Sequence, residues 1–196
     1  MSSETPTLLP AELVEQITAR KREFQIRYAD STFLVVNIGG DRKMLEVGLS
    51  TLTSDAANVG ALAFHTAISV HGSTRGKRQS VTDLRERLAR APHFILPLGK
   101  RGKDTTYADR VSVGRALNKD VVLRDHSVSK FHAWFEVERG QWTVSDAGST
   151  NGTLLNGSKL TAKESFPVSS GDLLRFGSIE CTLCAASLLA DAVQGR

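Results

Sequence analysis

Trp142-Thr-Val-Ser-Asp-Ala-Gly148-Ser-Thr-Asn-Gly152-Thr-Leu-Leu155-Asn156-Gly157 is the stretch that decides how this chain is read. Two short β-rich runs, Trp142–Val144 and Thr153–Leu155, enclose a cluster of small polar residues and glycines. Asn156-Gly157 then closes the second run. Both residues tolerate the positive φ of a type I′ turn, which makes this the strongest hairpin signal in the chain. Helical periodicity has no place in such a pattern; it belongs to antiparallel strands joined by tight turns.

Outward from there the texture continues. Phe94–Leu98, Val111–Val113, Val121–Leu123, Phe131–Val137, Leu173–Phe176 and Ile179–Leu183 are further runs of this type, with turn signals every eight to twelve residues. That spacing predicts an all-β sandwich or barrel. It begins after Pro92, so a domain boundary is expected near residue 92. The amino-terminal side reads as a smaller α/β or α+β region. Residues 1–9 are small, polar and proline-bearing, the composition of a disordered tail. Pro10 opens a helical pattern carrying Leu13, Ile17 and Phe24, with Arg20, Lys21 and Arg22 toward its end. Phe33-Leu-Val-Val-Asn-Ile38, Gly39-Gly40-Asp41 and the alternating Met44 and Glu46 suggest a β-hairpin. Residues 54–70 fit helix or strand, and Gly72–Arg78 has the composition of a loop. Ser80 and Asp83 form a capping-box pattern ahead of Val81, Leu84 and Leu88, with a stop at Pro92. The expected division is a 1–9 tail, a 10–91 region, a 92–186 β domain and a 187–196 carboxy-terminal tail.

The chain has 196 residues, 40% of them hydrophobic and 23% charged, the proportions of an ordinary globular protein with a buried core. No run approaches the ~18 apolar residues of a membrane-spanning helix. Met1-Ser-Ser-Glu-Thr-Pro-Thr7 lacks the basic and apolar regions of a secretory signal. Cys181 and Cys184 are the two cysteines, too few for a disulfide framework. Together these point to a cytoplasmic protein. The net charge of +4 is spread evenly: residues 1–93 carry 12 basic against 10 acidic residues, and residues 94–196 carry 13 against 11. Nucleic-acid binders concentrate that charge on one face, so no nucleic-acid partner is expected, and no membrane partner either.

Three polar clusters fall between the strands: Gly114-Arg115, Ser127-Val-Ser129-Lys130-Phe-His132, and Gly148-Ser149-Thr150-Asn151-Gly152. In an antiparallel sandwich, alternate connections gather at one end. An arginine, a serine hydroxyl, a lysine and an asparagine amide can therefore converge. That set is rich in donors and has no carboxylate base, which suits an anion with planar oxygens, phosphate above all.

Val111-Ser-Val-Gly114-Arg115, Ser129-Lys-Phe-His132-Ala133, Gly148-Ser-Thr-Asn151-Gly152-Thr153, Asn156-Gly157 and Gly171-Asp172, in this order and spacing, resemble a forkhead-associated (FHA) domain. The resemblance covers about half the chain. It implies an eleven-stranded β-sandwich that binds phosphothreonine peptides through loops at one end. On these residues it implies that Arg115 contacts the phosphate, Ser129 donates its hydroxyl and Lys130 adds charge. Thr150 lines the wall near the phosphothreonine, and Asn151 hydrogen-bonds the peptide backbone. Gly114, His132 and Gly152 belong to the structural motif: Gly114 permits the turn into the arginine, and His132 braces the loop from within. The implied partner is a phosphothreonine-containing protein, a Ser/Thr kinase or a kinase substrate. Some FHA proteins are switched by phosphorylation of their own terminal threonine. Thr5, with Glu4 before it and Leu8 after it, is the corresponding candidate here, beside the plainer reading of an unmodified tail.

Other readings stand beside these. The Cys181-Thr-Leu-Cys184 spacing matches C-x-x-C, yet on a strand Ile179, Cys181 and Leu183 share one face and Cys184 points away. Core packing for Cys181 is therefore expected, with no zinc and no cofactor. Asn151-Gly-Thr153 and Asn156-Gly-Ser158 fit the glycosylation sequon by chance. His65 and His71 show no catalytic spacing with nearby carboxylates, and no Walker loop, HExxH or G-x-S-x-G elbow occurs, so no catalysis is expected. The rival to phosphothreonine binding is an assembly protein that uses the same fold without phosphate.

Overall fold

The computed structural model describes residues 17–37, 78–90, 93–100 and 109–194. In chain order the elements are α1 (Lys21–Arg27), β1 (Thr32–Asn37), α2 (Val81–Arg90), β2 (His93–Pro97), β3 (Arg110–Gly114), β4 (Val121–Val122), β5 (Ala133–Glu138), β6 (Gln141–Asp146), β7 (Thr153–Leu155), β8 (Ser158–Lys159), β9 (Phe166–Pro167), β10 (Leu173–Phe176), β11 (Ile179–Ala185) and α3 (Ala186–Val193). One sheet runs β2-β1-β11-β10-β7-β8 and the other β4-β3-β5-β6-β9. This is the β-sandwich expected, with eleven strands among the described residues.

Alternation on the strands builds the core between the sheets. Val111, Val113, Phe135 and Val144 meet Leu34, Val36, Leu174, Phe176, Cys181 and Leu183 there, all buried. Asn156 and Gly157 take φ values of 50° and 86°, as a type I′ hairpin requires, and Leu155 pairs with Ser158 across the turn. Asp172 secures this hairpin from below. Its carboxylate accepts hydrogen bonds from Asn156 Nδ2 (3.0 Å), the Ser169 N–H (2.8 Å) and Arg78 Nε (3.0 Å).

The boundary near residue 92 does not divide the fold. β1 lies between β2 and β11, so the amino-terminal part supplies a central strand of the sandwich. Both edges of β1 are taken by β2 and β11; the second strand of the expected hairpin, around Met44 and Glu46, lies outside the described residues. The unbroken apolar run of β1 has a simple cause: both its faces are buried. Leu34 and Val36 face the core between the sheets, while Phe33 and Val35 face a second core on the outer side.

Three short helical segments cover that second core. Ile17 and Phe24, Leu84 and Leu88, and Leu189, Ala190 and Val193 pack on Phe33, Val35, Ile95 and Cys184. The helical pattern begun at Pro10 is interrupted at Arg20, whose φ of −139° and ψ of 49° leave the α region. Ahead of α2, the Ser80 N–H donates to Asp83 Oδ2 (2.8 Å) and the Asp83 N–H to Ser80 Oγ (3.2 Å), the expected capping box. The expected tail after residue 186 is instead α3, a buried helix. Its run Ala186-Ser-Leu-Leu-Ala-Asp-Ala-Val193 covers apolar strand surface that would otherwise face water. Residues 1–9, 54–70 and the start of the Pro10 pattern lie outside the described residues.

Candidate phosphate-binding site

β3 ends against the loop that precedes β5, and Gly114 sets the distance. A Cβ at this buried position would stand 2.4 Å from the Lys130 carbonyl oxygen, so only glycine permits the approach. The Arg115 N–H then donates to Ser129 O (2.9 Å) and the Ala116 N–H to Lys130 O (3.3 Å). Arg115 itself is exposed. Its Nε donates to Val128 O (3.1 Å), which orients the guanidinium without using either Nη group. Among the described residues Arg115 has no ion-pair partner.

Ser129 joins this loop to the one between β6 and β7. Its Oγ accepts from the Thr150 N–H (3.0 Å) and donates to Thr150 Oγ1 (3.3 Å). Asn151 Nδ2 donates to Ser127 O (2.7 Å), a second tie between the same loops, and leaves its Oδ1 to accept from a ligand. Arg115, Ser129, Thr150 and Asn151 are thereby brought to one rim of the sandwich. Lys130 sits on the same loop with its side chain exposed, but its contacts to Gly114 and Ala116 run through its backbone.

His132 is fully buried beneath this rim. Nδ1 accepts from the Ser129 N–H (3.0 Å), so the ring proton lies on Nε2 and is donated to Gly152 O (3.2 Å). One imidazole thus clamps both loops, and it packs edge-on against Phe176 at 5.8 Å. Burial pushes its pKa below the ordinary value, against the opposing pull of the Gly152 bond and of Asp146. The ring serves as a neutral brace.

Asp146 shapes the second loop, and its role was not anticipated from the sequence. Oδ1 accepts from the N–H groups of Gly148 and Ser149, both at 2.8 Å, and Oδ2 from Ser149 Oγ and Thr153 Oγ1, both at 2.6 Å. Burial alone would raise the Asp146 pKa, but these bonds, led by the Ser149 hydroxyl, hold it below the usual value. Asp125 does the same for the first loop, accepting from the Ser127 N–H (2.7 Å) and hydroxyl, while Ser127 Oγ meets Ser178 Oγ at 2.8 Å. The signal available was local: an aspartate two residues before a turn glycine or serine caps its own loop. Both carboxylates are turned to internal donors, which leaves the rim to cations, hydroxyls and an amide. That arrangement is chemically suited to hold a phosphate.

Cys181 and Cys184 fall in different cores, on opposite faces of β11, and burial raises the pKa of both thiols. Among the described residues, no group of three His, Cys, Asp or Glu side chains could hold a metal, and no helix is long and apolar enough to cross a membrane.

These linkages predict the acid response. In the folded state His132 binds its proton more weakly than in the unfolded chain, so its contribution is complete above about pH 6.5 and is lost as the pH falls toward the folded pKa. Asp146 contributes above its unfolded value of about 3.8–3.9 and loses that contribution below it. Urea midpoints should decline in two steps on acidification. Asp146→Asn should shrink the lower step, which Asp125 shares, and keep the upper one; a lower step of unchanged size would show that the Asp146 network contributes nothing.

The family profile described as FHA domain matches residues 111–177. Over 123 residues the chain is 31% identical to FHA domain-containing protein FhaB of Mycobacterium tuberculosis, covering 62% of this chain and 74% of that protein. It is 34% identical over 87 residues to an FHA domain-containing protein of Arabidopsis thaliana, covering 44% of this chain and 22% of that much longer relative. Among solved structures it is similar to the amino-terminal FHA domain of S. cerevisiae Rad53p in complex with a phosphothreonine peptide, with 25% identity, a TM-score of 0.37, and coverage of 41% of this chain and 71% of that one. With its signature glycine, arginine, serine, histidine and asparagine gathered on one rim of a β-sandwich, and with FhaB matched over most of its length, this chain belongs to the FHA domain family.

Proposed function

We propose that the chain is a phosphothreonine-peptide-binding adaptor that reads the output of Ser/Thr kinases and carries no catalysis of its own. The observation that carries this reading is the Arg115 guanidinium, anchored through Nε on Val128 O while both Nη groups stay unpaired among the described residues. A phosphothreonine brings about −1.5 to −2 charges and three acceptor oxygens. Arg115 Nη, the Ser129 hydroxyl and Lys130 supply charge-assisted partners of roughly 1.5–3 kcal/mol each. Less the cost of association, such a set supports affinities near micromolar, about −8 kcal/mol. Thr150 forms the wall, and Asn151 Oδ1 receives a peptide N–H. The partner is a phosphorylated cytoplasmic protein, a kinase or a kinase substrate; phospho-Thr5 is the candidate ligand within the chain.

Calorimetry on the full chain tests the proposal, with an oriented phosphothreonine peptide library and a phospho-Thr5 peptide of residues 1–11 as probes. Binding should require the phosphate. Equal heats for phosphorylated and bare threonine peptides would favour the phosphate-independent assembly role instead. Silence from the phospho-Thr5 peptide alone would remove the self-ligand and leave the adaptor reading standing.

A further inference from the structure

The backbone carbonyls of Ser127, Val128, Ser129 and Lys130 each accept a hydrogen bond from another part of the site. Ser127 O takes Asn151 Nδ2 (2.7 Å) and Val128 O takes Arg115 Nε (3.1 Å). Ser129 O and Lys130 O take the N–H groups of Arg115 and Ala116 (2.9 and 3.3 Å). The peptide planes of this stretch therefore set where the ligand-facing side chains stand. Asn151 depends on this most, because a carboxamide has one donor end and one acceptor end. Ser127 O can only accept, so it holds Nδ2 and leaves Oδ1 to receive a ligand N–H.

Ser127 is itself held from two directions. On its own loop, Asp125 Oδ1 accepts from the Ser127 N–H (2.7 Å) and hydroxyl, and the Val128 N–H donates to Asp125 O (3.1 Å). That is an aspartate-capped turn. From the turn between β10 and β11, the Ser178 N–H donates to Ser127 Oγ (2.9 Å), and the two serine hydroxyls meet at 2.8 Å. Gly177 permits this approach: its φ is 62°, and a Cβ there would stand 2.5 Å from Ser127 O. The Gly177 N–H also donates to Gly152 O (3.3 Å). The β10–β11 turn thus contacts both the residue that anchors the Asn151 amide and the residue that follows Asn151. With one proton given to Asp125 and two lone pairs turned to Ser178, the Ser127 hydroxyl has no capacity left for a ligand.

We infer that Ser127, locked by Asp125 and Ser178, is a positioning residue for ligand binding that acts through Asn151. The inference rests on the phosphothreonine reading and deepens it. Without the Ser127 hydroxyl, the Ser127 peptide plane loses its ties to Asp125 Oδ1 and to the β10–β11 turn, and the Nδ2 anchor loosens. Asn151 must then be ordered by the ligand, at the cost in affinity that ordering a side chain on binding brings.

The test uses the full chain, labelled with 15N, and a fluorescein-labelled phosphothreonine peptide in a Gly/Ser/Ala background. Without ligand, the Asn151 side-chain amide pair is assigned by its loss in Asn151→Ala. In Ser127→Ala its bonded proton should move upfield and exchange faster with solvent. Ser127→Ala should weaken phosphopeptide binding about fivefold, and the double variant should bind no more weakly than Asn151→Ala alone. Ser178 is exposed, so Ser178→Ala folds even if Ser127→Ala does not, and it should move the same amide signal in the same direction. An unmoved Asn151 signal, or losses that multiply in the double variant, overturns the inference. A wild type that binds the phosphorylated peptide no better than its bare twin overturns the phosphothreonine reading. The amide signal, read without ligand, still decides whether Ser127 holds Asn151.

Discussion

Replacing Arg115 by alanine is expected to weaken phosphothreonine-peptide binding about a hundredfold while leaving the fold intact. The loss corresponds to roughly 2–3 kcal/mol, the contribution of charge-assisted hydrogen bonds to an ionised acceptor. Stability should hardly change, because the side chain is exposed and makes a single hydrogen bond, to Val128 O. Exposed substitutions of this kind stay within about 0.5 kcal/mol. Arg115→Lys should recover only part of the affinity, since an ammonium is a point charge and cannot be held by Nε while offering two further donors. Calorimetry and thermal melting on the same samples separate the two effects. Unchanged affinity with Arg115→Ala would remove the guanidinium from the site.

His132→Ala is expected to have the largest effect on stability, about 4 kcal/mol. The ring is fully buried and packs edge-on against Phe176, so truncation leaves a cavity. It also strands the Ser129 N–H and Gly152 O, each of which bonds the imidazole. Large-to-small replacements of buried rings cost roughly 3–5 kcal/mol, and the two stranded polar groups keep this one inside that range although the imidazole is smaller and more polar than a phenyl ring. At about 2–4 °C per kcal/mol for a chain of this size, the melting temperature should fall by roughly 8–16 °C. Phosphopeptide affinity should fall as well, below the melting temperature, because Ser129 and the loop before β7 lose their common support. A shift of under about 2 °C would show that His132 does not brace the rim.

Much of this molecule is legible in local pattern. Alternation over Val111–Val113 and Ile179–Leu183 and the Asn156-Gly157 turn identify strands, because a strand's burial repeats every two residues and a type I′ turn accepts few side chains. The site was legible for a related reason. Arg115, Ser129, Thr150 and Asn151 lie in loops whose turn residues announce themselves, and antiparallel connections bring alternate loops to one end.

Pattern could not say where the domain begins. Phe33–Val36 is an apolar run whose partners, β2 and β11, lie about 60 and 150 residues away in sequence. Nor does composition distinguish a loose tail from α3, whose burial depends on the apolar outer face of the β1–β11 sheet. The role of Asp146 went unread for a different reason: its partners Gly148, Ser149 and Thr153 are near in sequence, but a capping aspartate looks like any other turn residue until its bonds are seen. Sequence alone determined most of the strands, the Asn156-Gly157 turn and the donors of the candidate site, because backbone geometry and side-chain chemistry are local. The tertiary structure decided which distant segments share a sheet, which carboxylates are spent internally and which hydrophobic side chains stay in water, because burial and pairing are properties of the whole packing.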